Sequence, residues 1–443
     1  MLNFSPTLAP VWEKIVAGRR IDEDDALALF EAPDFCQVAA MAHHVRTAKN
    51  GGLASYILNR FINYSNVCLL SCDFCAYGAK ARDAHAFTRS IPDMCAELSD
   101  ALQREAISEV HIVGGLHPTL DAQWYLDMLR SIRALAIDPN CPLGQSPKIN
   151  SEGQRPSESP SEPQAPTGRN PRDIDRALSG LVDIGVPFEG RCPSLLIKGF
   201  QLFSMPQNPN GHFGIKAFTA VELLHLARRA FKKSLPDTLA LLRENGLDSI
   251  TGGGAEIFDA SVRQRICPAK ETAEEWLDVH RTWHKMGGTS TATMLFGHIE
   301  TFRQRVDHLR RLRELQDETG GFTGFVPFAF APKGARVGSV LHGLPPASAL
   351  DILRTIAVAR VFLDNFPHIT AYWVSMGLPL AQVALHCGAD DLHGTIGKEK
   401  VFHDAGAQTP HGQSVEAFEA VIRGAGFTPV RRDTRYDCAT DGA

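Results

Sequence analysis

The chain has 443 residues, 44% of them hydrophobic, and a net charge of −5. That is enough apolar material for one barrel-type domain of about 250–350 residues with extensions. The mild acidity gives no basic footprint for nucleic acid, and no apolar run reaches the ~18 residues of a membrane span, so neither nucleic-acid binding nor membrane insertion is expected.

Residues 11–50 read as helices: Val11 and Ile15 stand four apart, Leu27 and Phe30 three apart, and Asp22–Asp25 gives an acidic first turn. Tyr56–Tyr64 alternates loosely and predicts a first strand. Glu109–Gly115 is a short apolar strand stopping at a glycine pair, and Leu120–Leu135 follows as an amphipathic helix. The stretch 139–211 breaks the rhythm. Its Pro/Ser/Glu/Gln-rich part, 146–172, has a composition that buries too little apolar surface to fold. Strands are predicted again at Ile215–Phe218, Ser249–Gly254, Gly288–Leu295 and Phe325–Phe330. Helices are predicted over 219–231, 235–244, 272–286 and 301–317. Strands alternating with helices of this length mean βα units and a parallel sheet. Six of them suit an α/β fold built on a partial (β/α)6 TIM-type barrel, with its chemistry at the C-terminal ends of the strands. The expected organisation is an N-terminal helical segment (1–50), the barrel (51–335) interrupted at 139–211, and a C-terminal extension (336–443). In that extension Ile352–Leu363 reads as a helix, His368–Val374 as a strand and Val415–Gly424 as a helix.

The most informative run is Cys68-Leu-Leu-Ser-Cys72-Asp-Phe-Cys75, a C-x3-C-x2-C spacing. Three thiolates in one tight loop can hold three irons of a [4Fe–4S] cluster, one fewer than the usual four cysteines, and leave the fourth iron for a ligand that is not protein. A structural zinc knuckle is the alternative. Zinc sites normally pair C-x2-C units, and no second C-x2-C occurs. The other seven cysteines, Cys36, Cys95, Cys141, Cys192, Cys267, Cys387 and Cys438, are scattered and read as buried or free thiols. With no secretory pattern in Met1–Pro10, they fit a reducing cytoplasm.

Further candidates sit at strand ends. Gly114-Gly115 allows close backbone approach to a ligand, or marks an ordinary turn. Gly252-Gly253-Gly254 is a tight turn or a backbone surface for substrate. Glu222 bonds a ligand's ribose hydroxyls or serves as a helix N-terminal acid. His298 and Glu300 lie just past a strand end, where catalytic groups of barrels collect; a core or capping histidine is the plain alternative. Asp317 and Glu318 read as a solvated helix end.

The cysteine loop resembles that of the radical S-adenosylmethionine superfamily. The segments IVGGLHP (112–118), KAFTAVE (216–222), GGGAEIFD (252–259), ATMLFGHIET (292–301), LRELQDETGGF (312–322), AYWV (371–374) and GADDLHGT (388–395) are similar to those of the aminofutalosine synthase family of menaquinone biosynthesis. The resemblance covers most of 50–435 except 139–211, which departs from the family's short link. Cyclic dehypoxanthine futalosine synthase and the deazaflavin F0 synthase halves are the neighbouring families, and remain the alternative reading; KAFTAVE and ATMLFGHIET separate the chain from them.

The resemblance implies a [4Fe–4S] cluster on Cys68, Cys72 and Cys75, and S-adenosylmethionine held near Phe74, Gly114, Gly115 and Glu222. It implies an electron donor such as flavodoxin or ferredoxin. It also implies addition of the 5′-deoxyadenosyl radical to 3-[(1-carboxyvinyl)oxy]benzoate, an aromatic enolpyruvyl ether dicarboxylate, to give aminodeoxyfutalosine. Glu222, His298 and Glu300 are then the catalytic candidates. A dicarboxylate needs cationic partners, for which Arg60, Lys216, Arg263, Arg265 and Lys270 are candidates. A non-catalytic electron-transfer protein and a chain inactivated by its insert are the remaining possibilities.

Overall fold

Parallel pairing organises the chain. In the computed structural model, which describes residues 4–137, 213–397 and 399–438, ten strands form two sheets. They are β1 (Leu53–Ile57), β2 (Asn59–Asn63), β3 (Glu109–Val113), β4 (Gly214–Ala217), β5 (Ser249–Ile250), β6 (Thr289–Phe296), β7 (Phe322–Ala329), β8 (His368–Ile369), β9 (Asp391–Gly394) and β10 (Thr428–Arg432). Strands β2 to β8 form one seven-stranded sheet in chain order, all parallel. Helices cross between successive strands, so the sheet curls into a half-barrel with all strand C-termini at one mouth. A second parallel sheet has the order β10-β1-β9. The segment 139–211 lies outside the described residues, as do Cys141 and Cys192.

The expected alternation of strands and helices is present, with four differences. The single strand over Tyr56–Tyr64 is two strands in different sheets, β1 and β2, hinged at Leu58. Residues 54–59 are all buried, so no inside–outside period marks the break. The strand over Ser249–Gly254 pairs only at Ser249 and Ile250 before three glycines leave the ladder. The strand over His368–Val374 shortens to two residues and adds a seventh member to the half-barrel; Trp373–Met376 turns helical. Helices Ile91–Leu102 and Ala260–Ile266 are not among those expected: the first carries a regular helical spacing in its buried Met94, Leu98 and Ala101, whereas the second, of seven residues, is too short to show one. Both have local capping signals: Ser90 accepts Asp93 N–H, and Asp259 accepts Val262 N–H.

Buried cations tie the helical layer together. Arg354 donates to the carbonyls of Leu29, Phe30 and Ala32, where the helix Glu23–Glu31 ends. This satisfies terminal acceptors and complements the negative end of the helix dipole. Trp276, Trp283 and Trp373 are fully buried and fill the space between helices and sheet.

Candidate active site

The cysteine loop leaves the end of β2 and is held from several sides. Cys68 N–H donates to Ala79 O at 2.8 Å, and Leu69 N–H to Leu116 O at 3.1 Å. Lys80 Nζ donates to the carbonyls of Cys68, Leu69 and Leu70 at 3.0, 3.1 and 2.6 Å. Asp73 anchors the middle: its N–H reaches Ile266 O, its carbonyl accepts Arg336 N–H, and its carboxylate meets the Arg336 guanidinium at 2.5 Å. Cys68, Cys72 and Cys75 all line one cavity at the barrel mouth. Burial pushes the Cys72 and Cys75 thiols up, against a smaller pull from Lys270 on each. Among the described residues no three His, Cys, Asp or Glu side chains converge as ligands of a single metal ion. Three soft donors spread around one loop fit three corners of an iron–sulfur cluster better than a four-coordinate zinc.

The glycine pair follows β3 and faces the same cavity. A Cβ on Gly114 would stand 2.5 Å from the Tyr64 ring, and one on Gly115 would collide with the Val67 carbonyl of the cysteine loop. Only glycine lets the two strand ends come this close. Gly115 N–H donates to Ser65 O at 2.7 Å.

Glu222 completes the junction from the next strand. With Thr219 it forms a capping box on the helix starting at Ala220. Its Oε2 accepts Thr219 N–H and the Thr219 hydroxyl, both at 2.8 Å. Its Oε1 accepts the Tyr64 hydroxyl and Gly114 N–H, both at 2.9 Å. Four donors fill the four lone-pair positions of a carboxylate. Burial pushes this carboxyl up, while the bonds from Thr219, Gly114 and Tyr64 pull it down. Glu222 reaches the cavity wall but serves both as helix cap and as clamp on the glycine pair.

The cavity holds about 560 Å³ and runs from the cysteine loop down into the half-barrel. Side chains alternate along strands, so Glu109, His111 and Val113 of β3 and Thr291, Thr293 and Leu295 of β6 face it. Its upper end carries Phe74, the glycine pair and the run Gly252–Gly254. Lys270 pairs there with Glu256 and stands 5.5 Å from the Phe74 ring. The deeper end is aromatic and polar. Phe61 stacks on His111 with centroids 4.3 Å apart, and Tyr372 meets Phe328 and His393 edge-on at 4.9 and 5.0 Å. Arg432 is bidentate to Asp391 at 2.6 and 3.1 Å.

Of the residues singled out in the sequence, the fold brings Cys68, Cys72, Cys75, Phe74, Gly114, Gly115, Glu222, Lys216 and Lys270 to this one cavity. His298 and Glu300 are not among its lining residues. Both side chains are fully buried in the turn after β6. Glu300 accepts Gly297 N–H, His298 N–H and Arg305 Nε–H at 2.6, 2.9 and 2.8 Å. Burial alone would push its carboxyl up; His298, Arg305 and Gly297 outweigh that and bring it down to about 2. Arg305 in turn binds Asp351 of the helix Ala349–Phe362. The pair therefore fastens two helices behind the wall.

Arg60 pairs with Glu105, Arg263 staples the carbonyls of Ala255, Ile257 and Glu271, and Arg265 is exposed; none lines the cavity. Asp317 and Glu318 lie on the surface and pair with Arg20 and Arg281. Sequence reasoning missed Glu109, His111, Tyr372, His393 and Arg432. For the first two the alternation of β3, read inward from Val113, carries the signal. The other three come from the distant C-terminal segment, and no local spacing announces them.

A half-barrel that delivers a three-cysteine loop and a glycine pair to its mouth is the architecture of a radical S-adenosylmethionine enzyme. The chain is similar to methylornithine synthase over 95% of its length and 97% of that chain, with a TM-score of 0.62 at 14% identity. This supports the fold. A family profile for the CofH/MqnC C-terminal region matches residues 319–442. Aminodeoxyfutalosine synthase of Thermus thermophilus is 33% identical over 97% of this chain and 95% of its own. The 5-amino-6-(D-ribitylamino)uracil–L-tyrosine 4-hydroxyphenyl transferase of Methanopyrus kandleri is 32% identical over 95% and 94%, and cyclic dehypoxanthine futalosine synthase of Streptomyces coelicolor 30% over 97% and 88%. The chain belongs to this family of radical S-adenosylmethionine enzymes, whose membership implies a [4Fe–4S] cluster and S-adenosylmethionine. Among the described residues no helix is long and apolar enough to cross a membrane.

Proposed function

We propose that the chain is an aminodeoxyfutalosine synthase acting on 3-[(1-carboxyvinyl)oxy]benzoate and S-adenosylmethionine. The observation that carries this reading is the single cavity joining the cysteine loop and glycine pair to an aromatic deep end, in a chain one-third identical to aminodeoxyfutalosine synthase along almost its whole length. In the net reaction the sulfonium carbon–sulfur bond breaks and the 5′ carbon bonds to the vinyl CH2. The aryl group shifts from oxygen to carbon, and the carboxyl group leaves as CO2 or bicarbonate, with methionine as co-product. The electron that opens the sulfonium is recovered when the carboxyl group leaves, so no reductant is consumed overall.

Cys68, Cys72 and Cys75 would hold the cluster; when bound, it and S-adenosylmethionine supply that electron and a 5′-deoxyadenosyl radical. The chain's own residues orient and shield. Phe74 offers a flat face beside the loop, and Gly114–Gly115, whose N–H groups are already given to Glu222 and Ser65, leave the wall there free of side chains. Phe61, Phe328, Tyr372 and Phe402 enclose a slot for an aryl ring, and keep water from it. A donor such as flavodoxin or ferredoxin would reduce the cluster from outside.

The test is anaerobic reconstitution with iron and sulfide, followed by dithionite, S-adenosylmethionine and the enolpyruvyl benzoate, with products followed by mass. Aminodeoxyfutalosine and methionine are the expected products. 5′-Deoxyadenosine without the adduct would sink the reading and point to the hydroxyphenyl-transferase or cyclase reactions of the relatives.

A further inference from the structure

Five cations line the cavity: Lys80, Lys216, Lys270, Arg336 and Arg432. Four are committed. Lys80 sits on three loop carbonyls, Lys270 on Glu256, Arg336 on Asp73 and Arg432 on Asp391. Lys216 is different. It is only 5% exposed, yet no described residue gives its ammonium a hydrogen bond or a carboxylate within 4 Å. Its stem is buried but its ammonium opens on the cavity, supported only from a distance by the charge of Glu109, so it is free to meet a ligand.

Its surroundings repeat the pattern. Lys216 pairs in register with His111, and His111 with Phe61, so the three share one inward-facing level of the half-barrel. Glu109 Oε2 and His393 Nδ1 are buried there with no hydrogen-bond partner, and His111 Nδ1 has only Glu109 Oε1 at 3.6 Å. Buried polar atoms are nearly always paired, so the imidazole nitrogens of His111 and His393 beside a free ammonium mark a place where a ligand supplies acceptors, while Glu109 Oε2 is an acceptor that a ligand anion cannot partner. This level lies three residues below Gly114 along β3, about 10 Å deeper at the rise of a strand.

We infer that Lys216 seats the ring carboxylate of the substrate at the deep end of the cavity, with His111 and His393 flanking it. The assignment of ends follows from the chemistry. The vinyl CH2 bonds to the 5′ carbon, so the vinyl end, with the carboxyl group that leaves from it, must face the cysteine loop. The ring carboxylate, on the far side of the aryl group, then points inward. The slot between Phe61–His111 and Tyr372–Phe328 takes the ring between them. Lys216 is thus a specificity residue. The inference rests on the proposed function for the identity of the aryl acid, but its binding test does not depend on turnover.

The experiment uses the full chain with its cluster reconstituted and S-adenosylmethionine present. Binding of 3-hydroxybenzoate and of 3-hydroxybenzamide is measured by calorimetry for the wild type and for Lys216→Met. The wild type is expected to prefer the carboxylate by about 10- to 100-fold, the range for losing one charged hydrogen bond, and Lys216→Met to bind both alike. Iron content after reconstitution and the urea midpoint are measured on the same samples, so that the preference is compared between folded, cluster-loaded chains. Equal binding of the two ligands by the wild type overturns the inference and needs no variant. So does a preference that survives in Lys216→Met. A Lys216-dependent preference in an enzyme that makes no aminodeoxyfutalosine would retain the aryl-carboxylate subsite and discard the proposed reaction instead.

Discussion

The carboxylate of Glu222 accepts the backbone N–H of Gly114 at 2.9 Å. Through this bond the helix after β4 fixes the end of β3, and through Tyr64 it also fixes the end of β2, from which the cysteine loop departs. Replacing Glu222 with alanine would leave the Gly114 and Thr219 N–H groups without their acceptor and the Tyr64 hydroxyl with only the Gly115 carbonyl, at 3.3 Å. The expected loss is roughly 2–4 kcal/mol of stability, read from urea unfolding of the apoprotein. Weaker S-adenosylmethionine binding should accompany it in the reconstituted enzyme. Unchanged urea midpoints would rule out the clamp.

Gly115 separates β3 from the cysteine loop by the width of a hydrogen atom. In Gly115→Ala the new methyl meets the Val67 carbonyl, which is backbone and cannot swing aside. The strand end and the loop must part, at about 1–3 kcal/mol. Cluster content after reconstitution should fall with it. Gly426→Ala, with open space around it but a positive φ of 80°, should lose stability without losing iron.

The three loop cysteines should fail alike. Cys68→Ala, Cys72→Ala or Cys75→Ala should each fold, bind less iron and release no 5′-deoxyadenosine. Cys267→Ala is the internal control: this thiol is buried beside the loop anchor at Ile266 but does not line the cavity. It should keep its iron and its activity. Loss of iron from Cys267→Ala equal to that of the loop variants would move the site.

Glu300 supports the wall rather than the reaction, and pH reports it. Its carboxyl is lowered from an ordinary 4.5 to about 2 in the folded chain. The folded state therefore gains stability from the ionised group above pH ~4.5 and loses that gain as pH falls towards 2. Glu300→Gln should cost about 2–3 kcal/mol at pH 7, with the gap to wild type closing between pH 4.5 and 2. Turnover per folded molecule should be little changed. A large fall in turnover with stability intact would instead return Glu300 and His298 to the chemistry.

The sequence alone determined the elements whose information is local. Three thiols within eight positions share a loop whatever the rest of the chain does. The helix and strand periods reveal alternating βα units because each period is set by a residue's near neighbours. Thr219 and Glu222, three apart, announce their capping box in the same way. The tertiary structure decided what depends on direction and distance. His298 stands near a strand end in sequence, but the inward positions of β6 are Thr291, Thr293 and Leu295, and the turn at Gly297 carries His298 behind the wall. Glu222 has the right chemistry for a ribose, yet packing delivers four donors to its carboxylate first. The deep end joins Phe61, His111, Lys216, His393 and Arg432, which are separated by up to 371 positions in the chain. Only the closing of parallel strands around one cavity brings such residues within reach of one ligand, because side-chain contact across a barrel depends on register and curvature rather than on sequence spacing.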